Sequence, residues 1–319
     1  MFNRILIPLD GSDHSIKIIG WATGLAKALQ AEMVLLNVID PEDLAFLESA
    51  SGLSSVSGNG MQDTSQVELA ISDAESKATS ALKNIAESVD APEVKIRTHV
   101  EIGSPAETIV RTAVSSSSDL IAMATRRESA LVRGVLGSVT DRVLHSSSIP
   151  LLTLYPGDIA GFDDNHGVPT HIIVPLDGSE LSESAIPTAM ELAKAANAEL
   201  RFFETIRTSF VGAGITGLEY GAGDFAGDAV VNNRRANAEK YLDDWVSFAQ
   251  EQGVNSSRVV SVGSPAQKIV DQANQVEGSI VVMGSHGSGG LKRWVVGSVA
   301  DKVIRSAHRP VLVIPPKTG

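Results

Sequence analysis

Arg4-Ile5-Leu6-Ile7-Pro8-Leu9-Asp10-Gly11-Ser12 reappears as His171-Ile172-Ile173-Val174-Pro175-Leu176-Asp177-Gly178-Ser179, 167 residues further along the chain (Asp10 to Asp177). In both copies an apolar run without alternation passes into proline, leucine, a carboxylate and a glycine. Apolar runs of this kind are expected of parallel strands covered on both faces, and the Asp-Gly-Ser that follows is turn chemistry. The repetition continues. Leu25-Ala26-Lys27-Ala28 returns as Leu192-Ala193-Lys194-Ala195 at the same offset, whereas Gly103-Ser104-Pro105-Ala106 matches Gly263-Ser264-Pro265-Ala266, and Gly137-Ser138-Val139 matches Gly297-Ser298-Val299, at an offset of 160. The first copy therefore carries seven additional residues between its second and third strands, and the chain is a tandem duplication.

Strand-like runs near Arg4–Leu9, Met33–Ile39, Val94–Val100, Leu120–Ala124 and Leu151–Leu154 alternate with helical spacing over Ser15–Gln30, Val67–Val89, Pro105–Ser115 and Ser138–Ser146. The second half repeats the pattern, with strands near His171–Leu176, Leu200–Ile206, Arg258–Val262, Ser279–Met283 and Val311–Ile314. This alternation predicts an α/β fold with a doubly wound, mostly parallel sheet in each half and right-handed crossovers. The stretch from Pro156 to Pro169 is rich in Gly, Asp and Pro and lacks an apolar period, so it reads as a linker. The expected organisation is a first domain over 1–156, a linker over 157–169 and a second domain over 170–319. Turn-rich stretches at Ser49–Ser65 and Gly212–Gly227 each follow the second strand of a repeat, and loops of such length commonly carry function.

Composition narrows the function. With 38 acidic and 26 basic residues in 319, the net charge is −12, which argues against nucleic acid or an anionic membrane as a partner held by bulk electrostatics. There are no cysteines, so disulfides, thiolate metal sites and cysteine nucleophiles are excluded. No apolar run approaches the roughly 18 residues of a membrane span, and Met1 to Pro8 enters a strand without a cleavage-site pattern. The expectation is a soluble, cytoplasmic protein. No pair of the seven histidines has metal-ligand spacing.

In open α/β sheets, ligands bind beyond the carboxyl ends of the strands where strand order reverses. Two such ends stand out in the second half. One is Pro175-Leu176-Asp177. The other runs from Met283-Gly284-Ser285-His286-Gly287-Ser288-Gly289-Gly290 to Gly297-Ser298. Four glycines in seven residues let backbone N–H groups turn towards a close ligand. Ser298-Val299-Ala300-Asp301 fits an S-x-x-D capping pattern, which would open a helix whose dipole favours an anion. The pattern predicts a phosphate cradle, with Asp177 at the ribose end of the same ligand. It is neither a Walker loop, since no Gly-Lys-Ser/Thr occurs at the required spacing, nor a dinucleotide fingerprint, since the glycines follow the fourth strand of the repeat and not the first.

These residues resemble the universal stress protein family in tandem form. The likeness is carried by Ile172 to Ser179, Val262-Gly263-Ser264-Pro265-Ala266, Met283 to Gly287 with Gly297 to Asp301, and Arg309-Pro310-Val311-Leu312-Val313-Ile314. It implies five parallel strands per domain, Rossmann-like, in the order 3-2-1-4-5. It further implies ATP, with adenosine near Pro175, Leu176, Asp177 and Thr205, and the triphosphate on Gly284, His286, Gly287, Gly297, Ser298 and Val299 beside Met283. Thr205 stands where valine is usual. Mg²⁺ would arrive on the phosphates without a carboxylate cage. The fifth strands, Leu151–Leu154 and Val311–Ile314, are expected to pair within one chain as a pseudo-dimer, and two chains can associate again as a homodimer.

The first half departs from this pattern. At offset 160, Gly284 becomes Ala124 and Gly287 becomes Arg127, while Gly137 and Ser138 keep the helix start. Arg126 and Arg127 are either solvated, leaving a degenerate loop, or replace backbone donors as an anion clamp. The expectation carried forward is one nucleotide per chain, in the second half, with the first half a degenerate structural partner. The function implied is an ATP-binding stress-response or regulatory protein. A slow ATPase or nucleotidyl-transfer enzyme is one alternative, although no nucleophile–base pair or metal carboxylate set is evident in the loop. A protein-interaction module without nucleotide is the other.

Overall fold

The strands that end in the two Asp-Gly-Ser turns lie at the middle of their respective halves. In the computed structural model of the chain, which describes residues 2–42, 64–125, 136–155, 167–207, 223–285 and 296–316, β1 (Arg4–Pro8) runs between β2 (Glu32–Ile39) and β4 (Leu120–Ala124). Outside these lie β3 (Ile96–Ile102) and β5 (Leu151–Leu154). In the second half β6 (His171–Leu176) runs between β7 (Glu199–Ile206) and β9 (Ser279–Gly284), with β8 (Ser256–Val262) and β10 (Val311–Ile314) outside. All pairs within a half are parallel, in the expected order 3-2-1-4-5.

The two sheets are continuous. β5 and β10 pair antiparallel, so the ten strands follow β3-β2-β1-β4-β5-β10-β9-β6-β7-β8. Leu152 lies opposite Leu312, its own counterpart at offset 160, so a pseudo-twofold axis passes between them. All four residues of each of these strands are buried. An apolar fifth strand would otherwise be an unpaired sheet edge, and each half covers the edge of the other.

The helices are α1 (Asp13–Ile16), α2 (Ile18–Leu29), α3 (Thr64–Ser88), α4 (Pro105–Ser115) and α5 (Ser138–Ser146) in the first half. The second half has α6 (Glu180–Glu183), α7 (Ile186–Ala196), α8 (Gly223–Glu251), α9 (Pro265–Gln275) and α10 (Ser298–Ser306). Three sequence expectations need adjustment. The single helix over Ser15–Gln30 is two, because Ser12 caps one isolated turn by accepting from the Ser15 amide and Lys17 restarts the helix. The third strand begins at Ile96 and not at Val94, because a turn joins Val94 N–H to the Ala91 carbonyl and the Val94 side chain is spent on the core. Helix α8 begins at Gly223, inside the stretch read as loop.

One face of the sheet packs Ile5, Ile7, Ile172 and Val174 under α2, α3, α7 and α8, through Trp21, Leu25, Leu82, Met190 and Leu242. The other packs Leu6, Ile121, Ile173 and Val281 under α4, α5, α9 and α10, through Ile109, Val143, Ile269 and Val303. Each core runs through both halves. Full burial of one such aliphatic side chain contributes about 1.5–3 kcal/mol, and each core draws such side chains from both halves. Where the chain enters the second half it crosses α2 closely. A Cβ on Gly24 would stand 2.5 Å from the Gly167 nitrogen, and one on Gly167 would collide with the Trp21 backbone. Among the described residues no helix is long and apolar enough to cross a membrane.

Candidate functional site

Since β6 lies between β7 and β9, the carboxyl ends of all three strands meet at one rim of the second half. Pro175 and Leu176 are buried at the end of β6 and serve as its anchor, and Asp177 emerges at the rim. Gly178 has φ +78°, a left-handed conformation that glycine adopts without strain, with open space where a Cβ would project. The turn is held by its own polar groups. Asp177 Oδ1 accepts from the Ser179 amide (3.1 Å) and from the Ser179 hydroxyl (2.5 Å), and the Asp177 amide donates to Ser182 Oγ (3.3 Å). Ser179 in turn caps α6 by accepting from the Ser182 amide at 3.2 Å. The serine after the aspartate is therefore an orienting residue.

Beyond this turn opens a cleft of about 580 Å³. Its floor and one side are Asp177, Gly178 and the end of β7 from Glu204 to Arg207, and α8 forms the opposite wall through Arg234, Asn237, Ala238 and Tyr241. Thr205 is in this lining, and its hydroxyl lies 3.3 Å from that of Ser261. The Tyr241 hydroxyl donates to Glu183 Oε1 at 2.7 Å, which fixes the ring on the helix wall. Burial and the bond to Glu183 push the phenol well above its ordinary range, so Tyr241 stays a neutral donor. Burial, and then the negative charge of Asp177, raise the carboxyl of Glu204 above its usual value.

At the neighbouring end, Met283 and Gly284 are buried at the tip of β9. His286 and Gly287 lie outside the described residues, as do Arg126 and Arg127 of the first half. What the structure does describe are the two ends of the glycine-rich segment, and they are clasped. The Ser285 amide donates to the Ile314 carbonyl (2.9 Å), and the Gly297 amide donates to the Ser285 carbonyl (2.7 Å). Ser298 is the first residue of α10, and Gly297 is its N-cap. The S-x-x-D capping pattern is thus not formed; Asp301 instead accepts from Arg305 at 2.7 Å. With glycine at the cap no side chain caps this helix end. Gly297 spends its own N–H on the clasp, so the donors of the first turn begin with Ser298 and Val299.

The structure brings Asp177 and Thr205 into one cleft and sets the start of α10 beside the neighbouring strand end. It adds residues that the sequence reading left out, namely Glu204, Arg207, Arg234, Asn237 and Tyr241. Glu204 has a sequence signal. On the face of β7 defined by Leu200 and Phe202, both buried in the core, the next position is a carboxylate, at the carboxyl end of the strand. The α8 residues have none, because only packing decides which turn of a long helix faces a cleft.

The first half furnishes the same rim differently. Asp10 and Ser12 reproduce the turn, with Oδ1 accepting from the Ser12 amide (3.0 Å) and hydroxyl (2.5 Å), and Gly11 at φ +77°. At offset 167, however, Glu204 corresponds to Asn37, whose side-chain amide donates to the Leu9 carbonyl at 2.8 Å. Leu181 corresponds to His14, whose Nε2 lies 2.6 Å from the Thr125 carbonyl. A carbonyl can only accept, so this ring carries its proton on Nε2. Thr125 is the counterpart of Ser285 at offset 160. The carbonyl that clasps the loop in the second half is held by His14 in the first.

The family model described as universal stress protein family matches residues 1–154 and 169–315. A universal stress protein of Mycolicibacterium smegmatis is 26% identical over 318 residues, spanning 98% of this chain and 97% of its own. The universal stress protein YxiE of Bacillus subtilis is 33% identical over 144 residues, 45% of this chain and 97% of its own. Among solved structures, a universal stress protein from Archaeoglobus fulgidus has the same fold, with a TM-score of 0.66, 22% identity and 99% of each chain covered.

Proposed function

Because the chain belongs to the universal stress protein family, we propose that it is an ATP-binding stress-response regulator whose second half, 170–319, holds one nucleotide and whose first half, 1–156, is a structural partner. The observation that carries this reading is the cleft at the ends of β6 and β7, with Asp177 at its mouth. Its volume accommodates a nucleoside. A carboxylate fixed through one oxygen by Ser179 suits the paired hydroxyls of a ribose, and the bare Cα of Gly178 lets a sugar approach the backbone.

The rim beside it suits the phosphates. The uncapped first turn of α10 offers the Ser298 and Val299 amides, and the helix dipole favours an anion there. Gly284 ends β9 just before the clasp, His286 and Gly287 follow Ser285 in the sequence, and Met283 is buried in the core at the same strand end. Mg²⁺ would accompany the phosphates, neutralising their charge. In the first half His14 and Asn37 hold backbone carbonyls at the equivalent rim, which supports a single nucleotide per chain.

The test is to denature freshly purified protein and assay the released nucleotide, then titrate ATP with Mg²⁺ into the emptied protein. ATP near one per chain is expected. Asp177→Ala should weaken binding by about 10- to 100-fold, the worth of hydrogen bonds to a charged group, and Asp10→Ala should leave it unchanged. Gly287→Arg, which copies the first half, should also lose the nucleotide. Two nucleotides per chain would overturn the assignment to one half, and no binding of Mg-ATP at all would overturn the reading.

A further inference from the structure

The carboxyl of Glu204 is not used by the fold. It projects from the end of β7 into the cleft wall, half-buried, and among the described residues it accepts no hydrogen bond and forms no ion pair. Its charged neighbours in the cleft are Asp177 at the end of β6, Arg207 following β7, and Arg234 on α8; Tyr241 on α8 is committed to Glu183 of α6. A half-buried carboxyl that borders a cleft and spends no bond on the fold is available to a ligand that enters it. With a sugar at Asp177 and Gly178, the lining formed by Glu204 and the α8 residues Ala238 and Tyr241 is where a base attached to that sugar would lie. We propose that Glu204 reads the base of the nucleotide, its carboxyl accepting a hydrogen bond from the 6-amino group of adenine. The proposal rests on the nucleotide reading above and adds the group that selects the base.

The chemistry separates adenine from its nearest analogue. Hypoxanthine reverses adenine at this edge: its 6-oxygen accepts where the 6-amino group donates, and its N1 carries a hydrogen where adenine's is bare, so a carboxylate placed on the 6-substituent meets a second acceptor and could be satisfied only by shifting to N1. A glutamine at the same position, free to turn its amide either way, meets the amino group with its oxygen or the hypoxanthine oxygen with its NH₂. Burial and the charge of Asp177 raise the Glu204 pKa; a protonated carboxyl, with one donor and one acceptor, pairs with either base, so the discrimination belongs to the ionised form, which the pH of the test favours.

The experiment is to measure the affinities of ATP and ITP, each with Mg²⁺, for the emptied wild-type chain and for Glu204→Gln, by calorimetry at pH 7.5. Wild type should bind ATP about 10-fold or more tightly over ITP, the worth of one hydrogen bond to a charged group together with the penalty of an unpaired one. Glu204→Gln should bring the two within about threefold by gaining ITP affinity, with its melting temperature showing that it is folded. Asp177→Ala, acting on the ribose, should weaken both and keep their ratio. Equal ATP and ITP affinities in wild type, or an unchanged ratio in Glu204→Gln, would overturn the proposal while leaving nucleotide binding in place. Failure of wild type to bind either nucleotide would overturn the nucleotide reading, and this one with it.

Discussion

The rims beyond β1 and β6 began as copies of one another, and they still agree in the Asp-Gly-Ser turn, Asp10 and Asp177 included, while the side chains around that turn have diverged. Asp-Gly-Ser, the positive φ of the glycine and the serine cap are the same in both to within a few tenths of an ångström. Around them, His14 stands against Leu181, Asn37 against Glu204, and Ala81 against Tyr241. In the first half the polar groups turn inward: His14 and Asn37 each satisfy a backbone carbonyl. In the second half the backbone satisfies itself through the Ser285–Gly297 clasp, and the polar side chains face a cleft. Buried polar groups must be paired, so a rim can use its side chains on its own backbone or present them to a ligand. The first half has taken the first option, and the second leaves polar side chains along an open cleft.

If the scaffold is common property, it should respond symmetrically, and this is where the largest effect is expected. Leu152 and Leu312 face each other across the pseudo-twofold, 1% and 2% exposed. Truncation of either to alanine should cost about 2–5 kcal/mol, by lost burial plus a residual cavity, and the two costs should agree to within about 1 kcal/mol. Urea denaturation followed by far-UV circular dichroism would measure both. One variant unfolding a single half, with a second transition unchanged, would break the picture of a shared core.

The rims, by contrast, should respond asymmetrically. His14→Leu copies the second half and leaves the Thr125 carbonyl, on a residue 1% exposed, without its donor. The expected loss is about 1–3 kcal/mol, the cost of an unsatisfied buried acceptor. The reverse exchange, Leu181→His, should change stability by less than about 1 kcal/mol, because the Ser285 carbonyl already accepts from Gly297. The same denaturation series reads both, and equal losses would remove the asymmetry from the argument.

Much of this was legible in the residues. The apolar runs at Ile5-Leu6-Ile7 and Ile280-Val281-Val282 are buried on both faces as parallel strands should be, and the tandem offsets placed both Asp-Gly-Ser turns. Asp177 could be named because strand ends are marked by turn chemistry, which is local; Thr205 came only from the family resemblance. What could not be read is non-local. Arg234, Asn237 and Tyr241 sit on a helix of 29 residues, and only its packing over β7 and β8 selects the turns that border the cleft. Nor does local pattern distinguish Ser298 as a cap from Ser298 as the first helical residue. The preceding glycine takes the cap because its amide is drawn to Ser285, twelve residues earlier. The break of the first long helix at Lys17 is a similar case, since Ser12 caps a turn that the apolar period runs straight through.

The smallest effect sharpens the comparison most, because it isolates the charge of a single rim side chain. Glu204→Gln gives the second half a neutral amide where the first has Asn37. The Glu204 carboxyl, raised by burial and by Asp177 above its ordinary 4.5, is protonated more readily in the folded chain than in the unfolded one. Below 4.5 both states carry the proton and its neutral form costs nothing extra. As the pH rises through the raised folded value, the carboxyl must ionise against its surroundings and that stability is lost. Glutamine does not ionise. The variant should therefore melt about 1–2 °C above wild type at pH 7.5, as expected for a fraction of a kcal/mol in a chain of this size, and the difference should shrink towards zero as the pH is lowered to 4. Scanning calorimetry across that range checks it. A gain that is the same at both ends of the range would mean that packing, and not charge, separates glutamate from glutamine here, and the two rims would then differ in shape alone.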